Sequence, residues 1–249
     1  MLESTKRTRK NLMGVLFSTF FASQGNAFET ENFPINLNPA QVVKLMEKTT
    51  SSIGSESESA AVLLENNGKF VSVATNPNQK SIVPESEILK LINKVEDISK
   101  TDIHNKEIWL IHNHPVKVIE KYWSGYSINQ IKFTNPNSLL NGPSLGDCKR
   151  FKSIEGFWKN KKISILNIIK EPGGLWFCSG DFKLPLPEHT FDTFEKLRED
   201  LVIASQKLNG KELESAIQKF ENQTFILLGI KIKFLKNESR MADFNKVKD

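Results

Sequence analysis

The chain has 249 residues, 39% of them hydrophobic and 25% charged, with 17 Phe and 4 Trp, so it can bury a core, which excludes wholesale disorder, collagen and low-complexity classes. Thirty-four Lys+Arg against 29 Asp+Glu give a net charge of +5, which invites a nucleic-acid reading, while two Cys exclude a disulfide-stapled miniprotein and a multi-Cys zinc ribbon. No apolar stretch reaches the roughly 18–20 residues of a membrane-spanning helix.

In chain order, the first element is a leader pattern. Lys6, Arg7, Arg9 and Lys10 form a positive cluster, Leu12 to Ala22 is an apolar run, and Gly25 and Ala27 supply small residues. These are the three zones of a secretory signal peptide over residues 1–27, which predicts an exported, periplasmic or secreted protein. A buried first helix is the competing reading, and an uncleaved segment would be the one route to a membrane. Residues 1–27 carry a net +3, so the remainder sits at +2. No basic stripe interleaved with aromatics stands out elsewhere, and the nucleic-acid reading loses its support.

Phe28 to Pro39 reads as extended, since Pro34 and Pro39 discourage helix. Val42, Val43, Leu45 and Met46 fall at helical spacing and predict a helix over 39–50. Ala60 to Leu64 is an apolar run suited to a buried strand. Asn66-Asn67-Gly68 is a hairpin signal, and Lys69 to Thr75 returns as a second strand. Pro84 opens a helix whose apolar face is Ile88, Leu89, Leu91, Ile92 and Val95. Glu107 to Ile111 is a strand that runs into His112-Asn113-His114-Pro115. Residues 116–143 read as irregular, and a helix then runs from Pro143-Ser144 to about Trp158. Strands at Ile163 to Ile169 and Leu175 to Cys178 are joined by the turn Glu171-Pro172-Gly173-Gly174. Helices over about 189–207 and 211–222 follow, with a final strand over Phe225 to Leu235. The mixture lacks regular βα alternation and reads as α+β, a mixed β-sheet flanked by helices. The expected division is a main domain over 28–184 and a C-terminal helix–helix–strand extension over 185–249 that packs on it.

Two of the four His stand at 112 and 114, at the end of a predicted strand. Residues two apart on a strand face the same way, so both imidazoles can hold one ion. Zinc accepts imidazole nitrogen and carboxylate oxygen. Ser144 is an N-cap type residue, and Asp147 lies one helical turn on, so hydroxyl and carboxylate can share a pocket. Taken alone, Ser-x-x-Asp is an ordinary capping box.

The combination of His112-x-His114-Pro115 with Pro143-Ser144-x-x-Asp147 resembles the JAMM (MPN-plus) metalloprotease family over about residues 39–180. His-Asn-His-Pro is the tetrapeptide of its bacterial RadC-like branch. The resemblance implies a JAMM/MPN-like fold with cytidine-deaminase-like layering. It also implies Zn2+ on His112, His114 and Asp147, with one position open to water. Catalysis would rest on a Glu general base and on Ser144 as donor to the oxyanion, in hydrolysis of a peptide or isopeptide bond. The family's Glu opens a short strand of small and aliphatic residues. Glu58 matches that pattern; Glu56 shares its parity, and Glu65 has the opposite one.

The stretch 115–143 between the two motifs is longer than in most of the family. It carries Tyr122, Trp123 and Tyr126, either as a substrate-binding flap or as an insertion that packs its own aromatics. Cys148 adjoins Asp147 but turns about 100 degrees away on a helix. Cys148 and Cys178 are a possible disulfide in an exported protein or two buried thiols. Two functions stand against each other. One is an active zinc peptidase acting on a protein or peptide. The other is a metal-free MPN module that binds a partner, in an exported secretion, conjugation or toxin system.

Overall fold

In the computed structural model, residues 31–32, 58, 60–66, 69–74, 85–99, 106–124, 133–149, 164–179, 186 and 189–236 are described. The expected leader over 1–27, the helix over 39–50, the part of the expected Pro143-to-Trp158 helix beyond residue 149, and Tyr126 lie outside them. Among the described residues no helix is long and apolar enough to cross a membrane.

The continuous apolar run Ala60 to Leu64, followed by the Asn66-Asn67-Gly68 turn signal, gives the first hairpin. Strand β2 (Ala60–Asn66) pairs antiparallel with β3 (Lys69–Ala74), with Asn66 opposite Lys69, and the two-residue β1 (Glu31–Asn32) adds outside β3. Helix α1 (Glu85–Ser99) follows. Its Ile88, Leu91, Ile92 and Val95 pack on Ala60, Val62 and Leu64 of β2. Each fully buried aliphatic there contributes roughly 1.5–3 kcal/mol.

Strand β4 (Glu107–Asn113) lies antiparallel to β2 and parallel to β5 (Ser164–Glu171). β6 (Gly174–Ser179) and β7 (Lys231–Lys236) complete the order β1-β3-β2-β4-β5-β6-β7, all antiparallel except β4–β5. The architecture is therefore α+β, a mixed seven-stranded sheet among the described residues with flanking helices. Helices α3 (Thr190–Lys207) and α4 (Gly210–Leu228) bury Phe194, Leu201, Ile217 and Phe220 against Ile169, Trp176 and Ile232. By strand parity this is the face that α1 covers at the other end of the sheet. The opposite face is also buried, through Ala61, Leu63, Ile111, Leu166, Ile168 and Phe177. The C-terminal helix–helix–strand thus supplies an edge strand to the same sheet.

Two elements differ from the sequence expectation. Residues 116–143 are not irregular throughout: α2 spans Val116–Ser124, and Pro136–Ser138 forms a 3-10 turn. Pro115 ends the strand and its carbonyl accepts from Val118 and Ile119, which starts the helix. Ile119 and Trp123, one helical turn apart, then bury against Leu139 and Val202. The apolar run at Phe225 is also not the start of a strand. Helix α4 continues to Leu228, because Thr224 and Leu228 extend its buried face while Phe225 and Ile226 stay exposed. Gly229, at φ +75, caps the helix by donating to Phe225 O, and β7 begins two residues later.

Candidate metal centre

The parallel pair β4–β5 brings two strand ends to one place, the position where sheets containing parallel strands commonly seat ligands. On β4, Ile108 and Leu110 point to the α1 side, so His112 does too. His114 follows with the same parity, and its N–H donates to Lys170 O at 2.8 Å, which continues the ladder past the strand end. The two imidazoles are buried, with ring centroids 5.1 Å apart at 66°.

Asp147 arrives from a helix that is described over 145–149. Ser144 caps it reciprocally. The Asp147 N–H donates to Ser144 Oγ at 3.0 Å, while Ser144 N and Oγ donate to Asp147 Oδ2 at 2.8 and 2.6 Å. The cap therefore fixes the carboxylate. Its Oδ1 lies 3.1 Å from His112 Nε2 and its Oδ2 3.4 Å from His114 Nε2. One ligand atom from each of His112, His114 and Asp147 falls within 4.8 Å of the others, and all three residues are buried.

Electrostatics follow from that burial. Burial alone would lower the His114 pKa, but hydrogen bonds and charge from Asp147 and Glu171 raise it to about 10. Burial alone would raise the Asp147 carboxyl, but His112 and His114 hold it well below the usual carboxylate range. Among the described residues His112 Nε2 is buried and has no hydrogen-bond partner, although it comes within 3.1 Å of the carboxylate. A buried polar atom left this way costs about 1–3 kcal/mol unless another partner takes it up. Two imidazole nitrogens and a carboxylate oxygen are a donor set for zinc and its first-row neighbours, so the residues present fit a metal ion.

The other expected site residues are placed as follows. Glu58 is partly buried, two residues before β2. The β2–β4 ladder ends with Ala60 opposite His112, and Glu58 lies two residues before Ala60 in the chain. Glu65 has the other parity, pairs with Phe70 and lies toward the far end of β2; Glu56 is outside the described residues. Ser144 adjoins Asp147, but its hydroxyl proton goes to the carboxylate.

Two aromatics of the insertion, Trp123 and Tyr122, are held by contacts within the protein. Trp123 is buried at 2% exposure and donates from Nε1 to Asn141 Oδ1 at 2.7 Å. Its place is in packing, as in the second of the two readings of the insertion, one that packs its own aromatics. Tyr122 is exposed at 36%, but its hydroxyl donates to Glu195 Oε2 at 2.8 Å and Arg198 lies 5.0 Å over its ring. Cys148 and Cys178 are free and buried in one cluster, and burial pushes both thiols up.

One residue that sequence reasoning passed over as a turn belongs to the centre. Glu171 ends β5, and its side chain is fully buried. The β4–β5 register pairs Asn113 with Lys170, which puts Glu171 beside His114. Glu171 Oε1 accepts from His114 Nδ1 at 2.9 Å. Its Oε2 accepts from Asn141 N at 2.8 Å, Gly142 N at 3.1 Å and Trp176 Nε1 at 2.7 Å. Gly142 is required here, since it sits at φ +70 and a Cβ would come 2.6 Å from Phe220 Cζ. The available signal was an acid in step with Ile165, Asn167 and Ile169, at the end of an apolar strand. No protein-family model, curated protein or solved structure matches this chain.

Proposed function

We propose that the chain is a zinc-dependent hydrolase of peptide or isopeptide bonds, of the JAMM type that the paired motifs resemble. One observation carries the reading: three buried ligand atoms, from residues 112, 114 and 147, converge within 4.8 Å at the end of a parallel strand pair. Zinc held by His112, His114 and Asp147 would lower the pKa of water to about 7 and polarise a carbonyl. Glu58, two residues before the partner of His112, would take a proton from water and pass it to the leaving amine. Ser144 holds the Asp147 carboxylate, and its hydroxyl, once rotated, hydrogen-bonds the developing oxyanion. The substrate is a protein or peptide. The leader-like pattern of residues 1–27 supports an exported location.

A metal-free binding module of an exported secretion, conjugation or toxin system is the second reading. The contacts of His114 with Asp147 and Glu171 favour it, because ion pairs can hold these groups together without a cation. Incubating the zinc-supplemented full chain with a library of peptides and isopeptide-linked conjugates tests the choice. The enzyme reading expects new termini from the wild type and none from Glu58→Gln. No cleavage by either chain favours the module.

A further inference from the structure

Resting on the zinc reading above, we infer that Glu171 is the positioning residue of the metal centre. It selects the tautomer of His114 and also anchors the loop that carries Ser144 and Asp147. Both tasks fall to one buried carboxylate because its two oxygens face different segments. Oε1 takes the Nδ1–H of His114, at the end of β4. Oε2 takes the backbone N–H groups of Asn141 and Gly142, just before Pro143-Ser144, and the indole N–H of Trp176. A carboxylate accepts and does not donate, so Nδ1 of His114 carries a hydrogen. Nε2, on the Asp147 side of the ring, is then the atom left for a cation.

Anchoring of the second ligand runs through the same group. With Asn141 N and Gly142 N fixed on Oε2, the chain has five residues in which to reach Asp147, and the Ser144 cap takes up the last three. Asn141 is itself held from outside. Its Oδ1 accepts from Trp123 Nε1, and its carbonyl accepts from Arg198 Nε at 3.4 Å. Partners that orient a ligating imidazole typically change metal affinity about 10–100-fold when altered.

Glu171→Gln separates this role from mere packing. The variant keeps the volume, and its amide oxygen can still accept from the Asn141, Gly142 and Trp176 donors. Its NH2 then faces His114 Nδ1 and forces the tautomer with hydrogen on Nε2, aimed at the cation position. The test is a competition titration of zinc against a chelating dye, with wild-type and Glu171→Gln full-length chains. Circular dichroism checks the fold, and cobalt(II) absorption reports ligand geometry. The expected result is a folded variant with affinity about 10–100-fold weaker and an altered cobalt spectrum. Equal affinity and an unchanged spectrum overturn the inference alone. A wild type that takes up no zinc overturns the zinc reading and this inference with it. Should the variant not fold, long-range 1H–15N spectra of the zinc-loaded wild type decide. A protonated Nδ1 on His114 supports the role; a protonated Nε2 overturns it.

Discussion

Ala60 stands directly opposite His112 in the β2–β4 ladder, and that pair is the last of the ladder at the histidine end. Two residues before Ala60 is Glu58. Glu65 is five residues the other way, about 17 Å along the strand at roughly 3.4 Å per residue. Glu58→Gln should therefore lose about 10²–10⁴-fold in kcat while still binding zinc, and Glu65→Gln should stay near wild type. Steady-state hydrolysis with parallel metal analysis checks this. A fully active Glu58→Gln chain contradicts the assignment and moves attention to Glu56.

Ser144 and Asp147 cap each other through three hydrogen bonds. Ser144→Ala removes two of them and should cost about 0.5–2 kcal/mol. For a chain of this size each kcal/mol moves the melting point by about 2–4 °C. Thermal unfolding of the zinc-free chain measures it, and an unchanged melting point argues against the cap.

The pH dependence of the metal-free chain follows from two shifts of opposite sign. His114 is raised to about 10, so its contribution is full below the unfolded value of about 6.5 and is lost as pH rises through 10. Asp147 is lowered, so its contribution is full above about 3.9 and is lost as pH falls. Stability from this pair should plateau between about pH 4 and 6.5 and decline toward pH 10. Zinc affinity should rise over that upper range, because the bound form of His114 is neutral. Binding near pH 7 should then release about one proton from His114, measurable by calorimetry in buffers of different ionisation enthalpy. An uptake that leaves pH unchanged contradicts the protonated state of His114.

Arg198 is buried at 1% exposure, with both Glu195 oxygens at 3.0 and 2.8 Å and the Tyr122 and Trp123 rings beneath its guanidinium. Arg198→Met leaves the Glu195 carboxylate buried without its cation. Such losses cost about 3–5 kcal/mol, and urea unfolding should show it. A cost below about 1 kcal/mol would mean that Tyr122 alone satisfies Glu195.

What could be read from the sequence was local. His112 and His114 share a strand face because they are two apart, and Ser144 and Asp147 share a helix end because they are three apart. Most strands and helices followed from period and turn residues for the same reason. Glu171 was not legible, since its contact with His114 is made by the parallel register of β5 on β4, between residues 57 positions apart. Helix α2 was hidden because only Ile119 and Trp123 mark its buried face, amid the Asn-, Ser- and Gly-rich sequence that follows. At Phe225 the apolar run outweighed the helical spacing of Phe220, Glu221, Thr224 and Leu228, which decides the structure.

Metal content of the purified full chain after zinc supplementation and desalting tests the central claim most directly. The expected result is about one equivalent of zinc in the wild type and a loss of that equivalent in a folded Asp147→Ala chain. Wild type without zinc, or an Asp147→Ala chain that retains it, would contradict the centre built on His112, His114 and Asp147.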